Sequence, residues 1–173
     1  MSQNFGLTAN PPRGWYVAVT RRPGALPPAP GAMRPSVVAP PEDVTRPVLH
    51  ACTRPLPPDR GDFGTGAVDL LGPDDVFVAL VDYGPEVADQ GLFERQGMPK
   101  LAPSQFAPNA MQRPLPGMSA AQHFFSSGGR AFCLFTVLGS HARRMAAVPR
   151  AAALVRTLAI TDRDTLTRQG GRP

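Results

Sequence analysis

The placement of proline limits this chain more than any other feature. It has 22 prolines, and most crowd into two stretches, Pro11 to Pro58 and Pro99 to Pro116. Proline lacks a backbone N–H and has a locked φ, so neither a long helix nor a central strand runs through such stretches. Regular structure is therefore expected between and after them, joined by long proline-rich loops. A length of 173 residues leaves room for one hydrophobic core rather than two. The expected organisation is a flexible N-terminus over residues 1–12, a single α+β domain over 13–160, and a disordered tail over 161–173, where no apolar period occurs.

Within the body, runs of aromatic and β-branched residues mark the strands. Trp15–Thr20 lies between Gly14 and the Arg21-Arg22-Pro23-Gly24 turn and reads as a first strand. Ser36–Ala39 is a short edge-strand candidate inside the proline-rich stretch. Val48–Thr53 is a second strand, with Val48, His50 and Cys52 on one face by period-two alternation. Gly66–Leu71 reads as a helical turn stopped by Gly72-Pro73. Asp74–Tyr83 follows, apolar on both alternating faces, which implies a central strand buried on two sides.

Residues 84–105 carry glycine and proline throughout and read as an irregular excursion, after which Phe106–Leu115 returns as a strand interrupted by Pro108 and Pro114. The clearest local signal is Gly128-Gly129 between Ala121–Ser127 and Arg130–Leu138. A type I′ turn needs positive φ at both central positions, so the pair sets a hairpin register. In that register Phe125 opposes Phe132 and His123 opposes Leu134 on one face, while Phe124 opposes Cys133 and Gln122 opposes Phe135 on the other. Ser140 is placed to cap a helix from His141 to Leu158, with Met145, Val148, Ala152, Val155 and Ala159 at helical spacing and Ala151, Leu154 and Leu158 widening the stripe. Pro149 either kinks this helix or opens a second segment.

Charge and cysteine content narrow the functional classes. The net charge is +5, but all of the 18 basic residues except Lys100 are arginine, scattered rather than grouped, with Arg21-Arg22 and Arg143-Arg144 the densest points. A nucleic-acid partner is therefore poorly supported, and the arginine, alanine, proline and glycine content matches the codon usage of a GC-rich genome. Two cysteines, Cys52 and Cys133, are too few for a disulfide framework and lack zinc-site spacing; a bridge between them requires neighbouring strands. Met1–Gly14 has no basic n-region or apolar h-region, and no run approaches a membrane span, so the expectation is a soluble cytoplasmic protein.

The sequence holds no nucleophile elbow, P-loop, dinucleotide fingerprint or zincin motif. His50 and Cys52 share a strand face and His123 lies on the hairpin, the ingredients of a Cys/His nucleophile pair, although a buried cysteine beside a hydrogen-bonded histidine explains them more simply. Asp74 and Asp75 resemble a metal pair, but adjacent strand residues face opposite ways, so turn closure is the better reading. Ser126-Ser127-Gly128-Gly129-Arg130 offers an anion backbone N–H groups and a guanidinium, yet a tight hairpin needs the same glycines. Arg143, Arg144 and Arg150 read as a solvated helix face.

Taken in order, Trp15 on an early strand, Leu71-Gly72-Pro73 before an apolar strand, Gly129-Arg130-Ala131-Phe132 in a hairpin and the helix through Leu158 resemble a group of small bacterial proteins from GC-rich genomes. The resemblance spans Gly14 to Ile160. It implies a curved, mainly antiparallel sheet with a C-terminal helix packed on one face, similar to PsbP-like α/β/α layering, and brings no activity or site residues. The reading that results is a non-catalytic interaction or structural module whose proline-rich loops lie on another protein. It assigns no catalytic residue, metal or cofactor. The alternative is a small enzyme or ligand-binding protein with a cleft near His50, Cys52 and His123.

Overall fold

The computed structural model describes residues 5–22, 46–111 and 113–170, so the Ser36–Ala39 strand lies outside the described residues. Five strands form one antiparallel sheet: β2 (Tyr16–Arg22), β3 (Arg46–Cys52), β4 (Val76–Gly84), β5 (Ser119–Ser127) and β6 (Arg130–Leu138), in the order β2-β3-β4-β6-β5. Preceding β2 is the short strand β1 (Leu7–Thr8); β6 is followed by helix α1 (Arg144–Val155), strand β7 (Ala159–Ile160) and helix α2 (Arg163–Gly170). The fold class is α+β, with α1 on one face of the sheet.

The hairpin forms in the register that its glycines dictate. Gly128 and Gly129 have φ of 58° and 76°, and Gln122 through Phe125 pair with Phe135 through Phe132 in the four couples expected from the turn. Beside it, β4 lies between β3 and β6, and Val76 through Asp82 are all buried. A strand covered on both faces needs no polar side to face water, which is why its sequence does not alternate. Pro47 sits inside β3 but one position beyond its ladder to β4, where the missing N–H removes no bond to that strand.

Two apolar clusters lie on the two faces of the sheet. One joins Leu49, Val78, Leu80, Phe125, Phe132 and Leu134 to the buried side of α1, contributed by Ala147, Val148, Ala151, Leu154 and Val155. The other joins Val48, Cys52, Phe77, Val81, Cys133 and Phe135 to side chains from irregular segments, among them Phe63, Ala67, Met111 and Met118. Among the described residues, the second face is therefore covered by loop and 3₁₀ turn where α/β/α layering would place a helix. Gly64 (φ +85°) lets this cover descend onto the sheet: a Cβ there would meet the Phe77 ring at 2.5 Å.

Several expectations change. The Gly66–Leu71 turn is a 3₁₀ turn limited to Val68–Leu70. Phe106–Leu115 is not a strand: it holds the 3₁₀ turn Pro108–Ala110 and one isolated bridge, Ala107 to Ala120, because its prolines cannot donate to a ladder. Helix α1 starts at Arg144, with Arg143 at the N-cap and no capping side chain, so Ser140 does not cap it. Its buried side is also rotated from the expected stripe, leaving Met145 68% exposed. Pro149 lies within a continuous α1, on its exposed side.

The chain ends also carry structure where none was expected. Leu7 is fully buried and pairs with Ile160 through the β1–β7 ribbon, and α2 occupies much of the tail. No helix among the described residues is long and apolar enough to cross a membrane.

Candidate functional site

The three residues proposed to share a cleft are not brought together. His50 pairs with Ala79 on β4 and Ala18 on β2, on the loop-covered face. His123 opposes Leu134, which is aligned with Leu80 and Leu49 on the helix-covered face, at the far side of the sheet. His50 and Cys52 do share a face, as alternation requires, but the sheet separates both from His123.

His50 is fully buried and tied at both ring nitrogens. Arg60 Nε–H donates to Nδ1 at 2.8 Å, which leaves the proton on Nε2, and Nε2 donates to the Asp62 carbonyl at 2.8 Å. The same guanidinium donates from Nη1 to the Pro57 carbonyl at 2.8 Å. Arg60 is itself buried, and its stem and charge anchor the 53–72 connection onto β3. A general base needs a free lone pair aimed at substrate; here the Nδ1 lone pair already accepts from a cation.

Neither thiol has the environment of a nucleophile. Cys52 and Cys133 are free and buried, on strands that are not neighbours. Burial pushes both upward, Cys133 to about 12, against weaker opposing backbone hydrogen bonds. His123 is held below its ordinary value by burial and by the charge of Arg95. Its Nε2 donates to Gln105 Oε1 at 3.0 Å, and its Nδ1 is buried with no protein partner.

The remaining polar motifs also serve the fold. Asp75 closes its turn by accepting from Thr53 Oγ1 and the Gly72 N–H, both at 2.8 Å, while Asp74 pairs with Arg143 at 2.5 Å. Arg150 donates to the Asp74 carbonyl, so Arg143 and Arg150 lie on an exposed face, as expected, and from there reach the turn before β4. Asp74 also compensates the cationic first turn of α1, where positive charge opposes the helix dipole. At the hairpin, Arg130 folds away from the glycines. Nη1 reaches Asp82 at 2.5 Å, Nη2 reaches the Thr161 carbonyl at 3.0 Å, and the guanidinium lies over the Phe132 ring. Burial raises the Asp82 carboxyl, opposed by Arg130 and the Gly84 N–H. With its guanidinium engaged and Asp162 beside Gly128, this turn is not the anion site its sequence offered.

Openings lie on both faces. A void of about 40 Å³ lies in the loop cover, between Phe63, Met111, Phe135 and Val137. A larger groove of about 580 Å³ runs between the 98–101 segment and the last turn of α1; Met98, Leu101, Val155 and Leu158 supply its apolar surface, and Lys100 and Arg156 its charge. Sequence reasoning missed this groove because its two sides are some fifty residues apart and neither carries a motif. No set of three or more metal-ligating side chains occurs among the described residues. Compared with known protein families, curated proteins and solved structures, the chain matches none of them.

Proposed function

We propose that this protein is a non-catalytic interaction module of the cytoplasm whose partner is another protein. The observation that carries the reading is the use of its reactive side chains. His50 is tied at both nitrogens, Asp82 and Asp75 hold turns and strands in place, and both thiols sit protonated in apolar surroundings. Catalysis by His50 or Asp75 would require breaking contacts that hold the 53–72 connection in place, and catalysis by Asp82 would break its pair with Arg130. Cys52 and Cys133 lie on strands that are not neighbours and form no bridge, so the fold does not depend on an oxidising compartment.

Alkylation of the native protein by iodoacetamide near neutral pH, read by intact mass, tests this reading. Both thiols are expected to stay unmodified in the native state and to react fully in denaturant. Rapid native labelling of Cys52 would overturn the reading and make the His50 and Cys52 face a reactive centre.

A further inference from the structure

We infer that the groove between Met98–Leu101 and the C-terminal turn of α1 binds an extended, acidic and aliphatic peptide segment of a partner protein. This rests on the interaction-module reading and adds a place and a ligand chemistry to it.

Three independent features converge on the groove. The first is charge. Lys100 and Arg156 are both exposed, neither side chain meets an acidic or hydrogen-bonding partner among the described residues, and no acidic side chain lines the groove. This contrasts with Arg46, Arg54, Arg113, Arg130 and Arg143, each of which pairs with a carboxylate. Arg156 is the C-cap residue of α1, where the helix dipole already favours a cation, whereas Lys100 lies off the helix with its charge uncommitted.

The second feature is apolar surface. Val155 and Leu158 are buried in the core at the groove floor, while Met98 and Leu101 are half-buried at its margin. A methionine beside leucines and a valine adapts to aliphatic side chains of different shape.

The third feature selects a peptide over a free fatty carboxylate. The 98–101 segment has no helix or strand of its own, and the N–H groups of Met98, Lys100 and Leu101 make no hydrogen bond among the described residues. On either side the chain is fastened, by Gly97 N–H to the Ser126 carbonyl and by Ala102 N–H to Gln105 Oε1. In an extended segment alternate N–H groups share an edge, so Met98 and Lys100 offer a short ladder of two N–H groups beside the groove, Pro99 between them having none. An extended peptide can bond to such a ladder through its main chain while alternate side chains enter the groove or cross its rim. Alternation then places aliphatic residues over Leu101 and Val155 and carboxylates near Lys100 and Arg156.

The test is a fluorescence-anisotropy titration of the full chain with a short labelled peptide alternating Glu with Leu, and with the same peptide carrying Lys in place of Glu. Saturable binding of the acidic peptide alone is expected. It should weaken about tenfold or more in the Lys100→Glu/Arg156→Glu variant, since opposed rim charges remove steering and contact together. Both side chains are exposed, so the variant should stay folded, with melting lowered slightly by the anion placed at the C-terminus of α1; Lys100→Gln/Arg156→Gln gives the same readout without charge repulsion. Carbodiimide coupling adds a positional check, because Lys100 is the only lysine and should carry the side-chain cross-link to the peptide.

Four results would overturn the inference: no binding, equal affinity after charge reversal, displacement of the peptide by laurate, or self-association of the chain that blocks the probe. The last two would assign the groove to a fatty carboxylate or to a second copy. Each of these leaves the non-catalytic reading standing, because that reading falls only if the native thiols react.

Discussion

Each face of the sheet carries a buried apolar cluster, but the two are covered in different ways. On one, α1 supplies its own backbone hydrogen bonds and meets the sheet through aliphatic side chains alone, Val148, Ala151, Leu154 and Val155. On the other, the connection from Thr53 to Gly72 has only a few turn bonds of its own, and several of its polar groups are met by side chains. His50 bonds the Asp62 carbonyl, Arg60 bonds the Pro57 carbonyl, and Asp75 bonds the Gly72 N–H. A helix satisfies its main chain internally, whereas a loop laid on an apolar sheet cannot, and an unpaired buried polar group is expensive. His50, Arg60 and Asp75 on the loop-covered face thus answer the kind of cover, while on the helix-covered face the buried Arg130 and Asp82 pair with each other and bond the Thr161 carbonyl and the Gly84 N–H. His50 and Arg60 resemble chemistry because they are polar and buried, and they are buried because the cover is irregular.

If that contrast is right, perturbing the helix-covered face should be global and perturbing the loop-covered face local. The largest effect is expected for Phe132→Ala. Its ring is fully buried, stacked on Phe125 at 5.7 Å between centroids, and lies under the Arg130 guanidinium. Loss of about 3 to 5 kcal/mol is expected in equilibrium denaturation, with the whole sheet losing protection together. An unchanged midpoint would remove Phe132 from the shared core.

A smaller effect, about 2 kcal/mol, is expected for His50→Ala, which leaves Arg60 Nε and the Asp62 carbonyl without their partner. Hydrogen exchange should accelerate across residues 53–72 while β4 and β6 keep their protection. Uniform acceleration over both faces would erase the distinction between them.

The smallest effect is the acid limb of stability contributed by His123 on the helix-covered side. Burial lowers its pKa in the folded state, so its contribution is fully present above the ordinary value of 6.5 and is lost as pH falls below it. Asp82, raised by burial on the same face, acts with the opposite sign: its contribution is present below the ordinary carboxylate range and is lost as pH rises through its folded value. His123→Gln should flatten the slope of melting temperature between neutral and mildly acidic pH. A slope that survives the substitution unchanged would assign it to other groups.

What could be read from the chain is what neighbouring residues decide. Gly128-Gly129 has few alternatives to a two-residue turn, and a turn of fixed length sets every pair of β5 and β6. Nine residues from Val76 without alternation left β4 only the middle of a sheet. The groups that looked like a site could not be placed in this way, because their partners are set by how distant segments pack. Arg130 meets Asp82 across 48 positions, and Leu7 finds Ile160 from the other end of the chain. His50 meets Arg60 only ten residues on, but through a loop with no period to predict its path. The Lys100 and Arg156 groove has the same origin, since neither of its sides is informative until α1 lies beside the 98–101 segment. The sequence alone determined the five strands of the main sheet, the hairpin register and the presence of α1, because hydrogen-bonded turns and side-chain periodicity act over a few residues. Only the tertiary structure decided which face each histidine occupies, what covers it and where an open surface remains, because burial and pairing of polar groups depend on the whole packed chain.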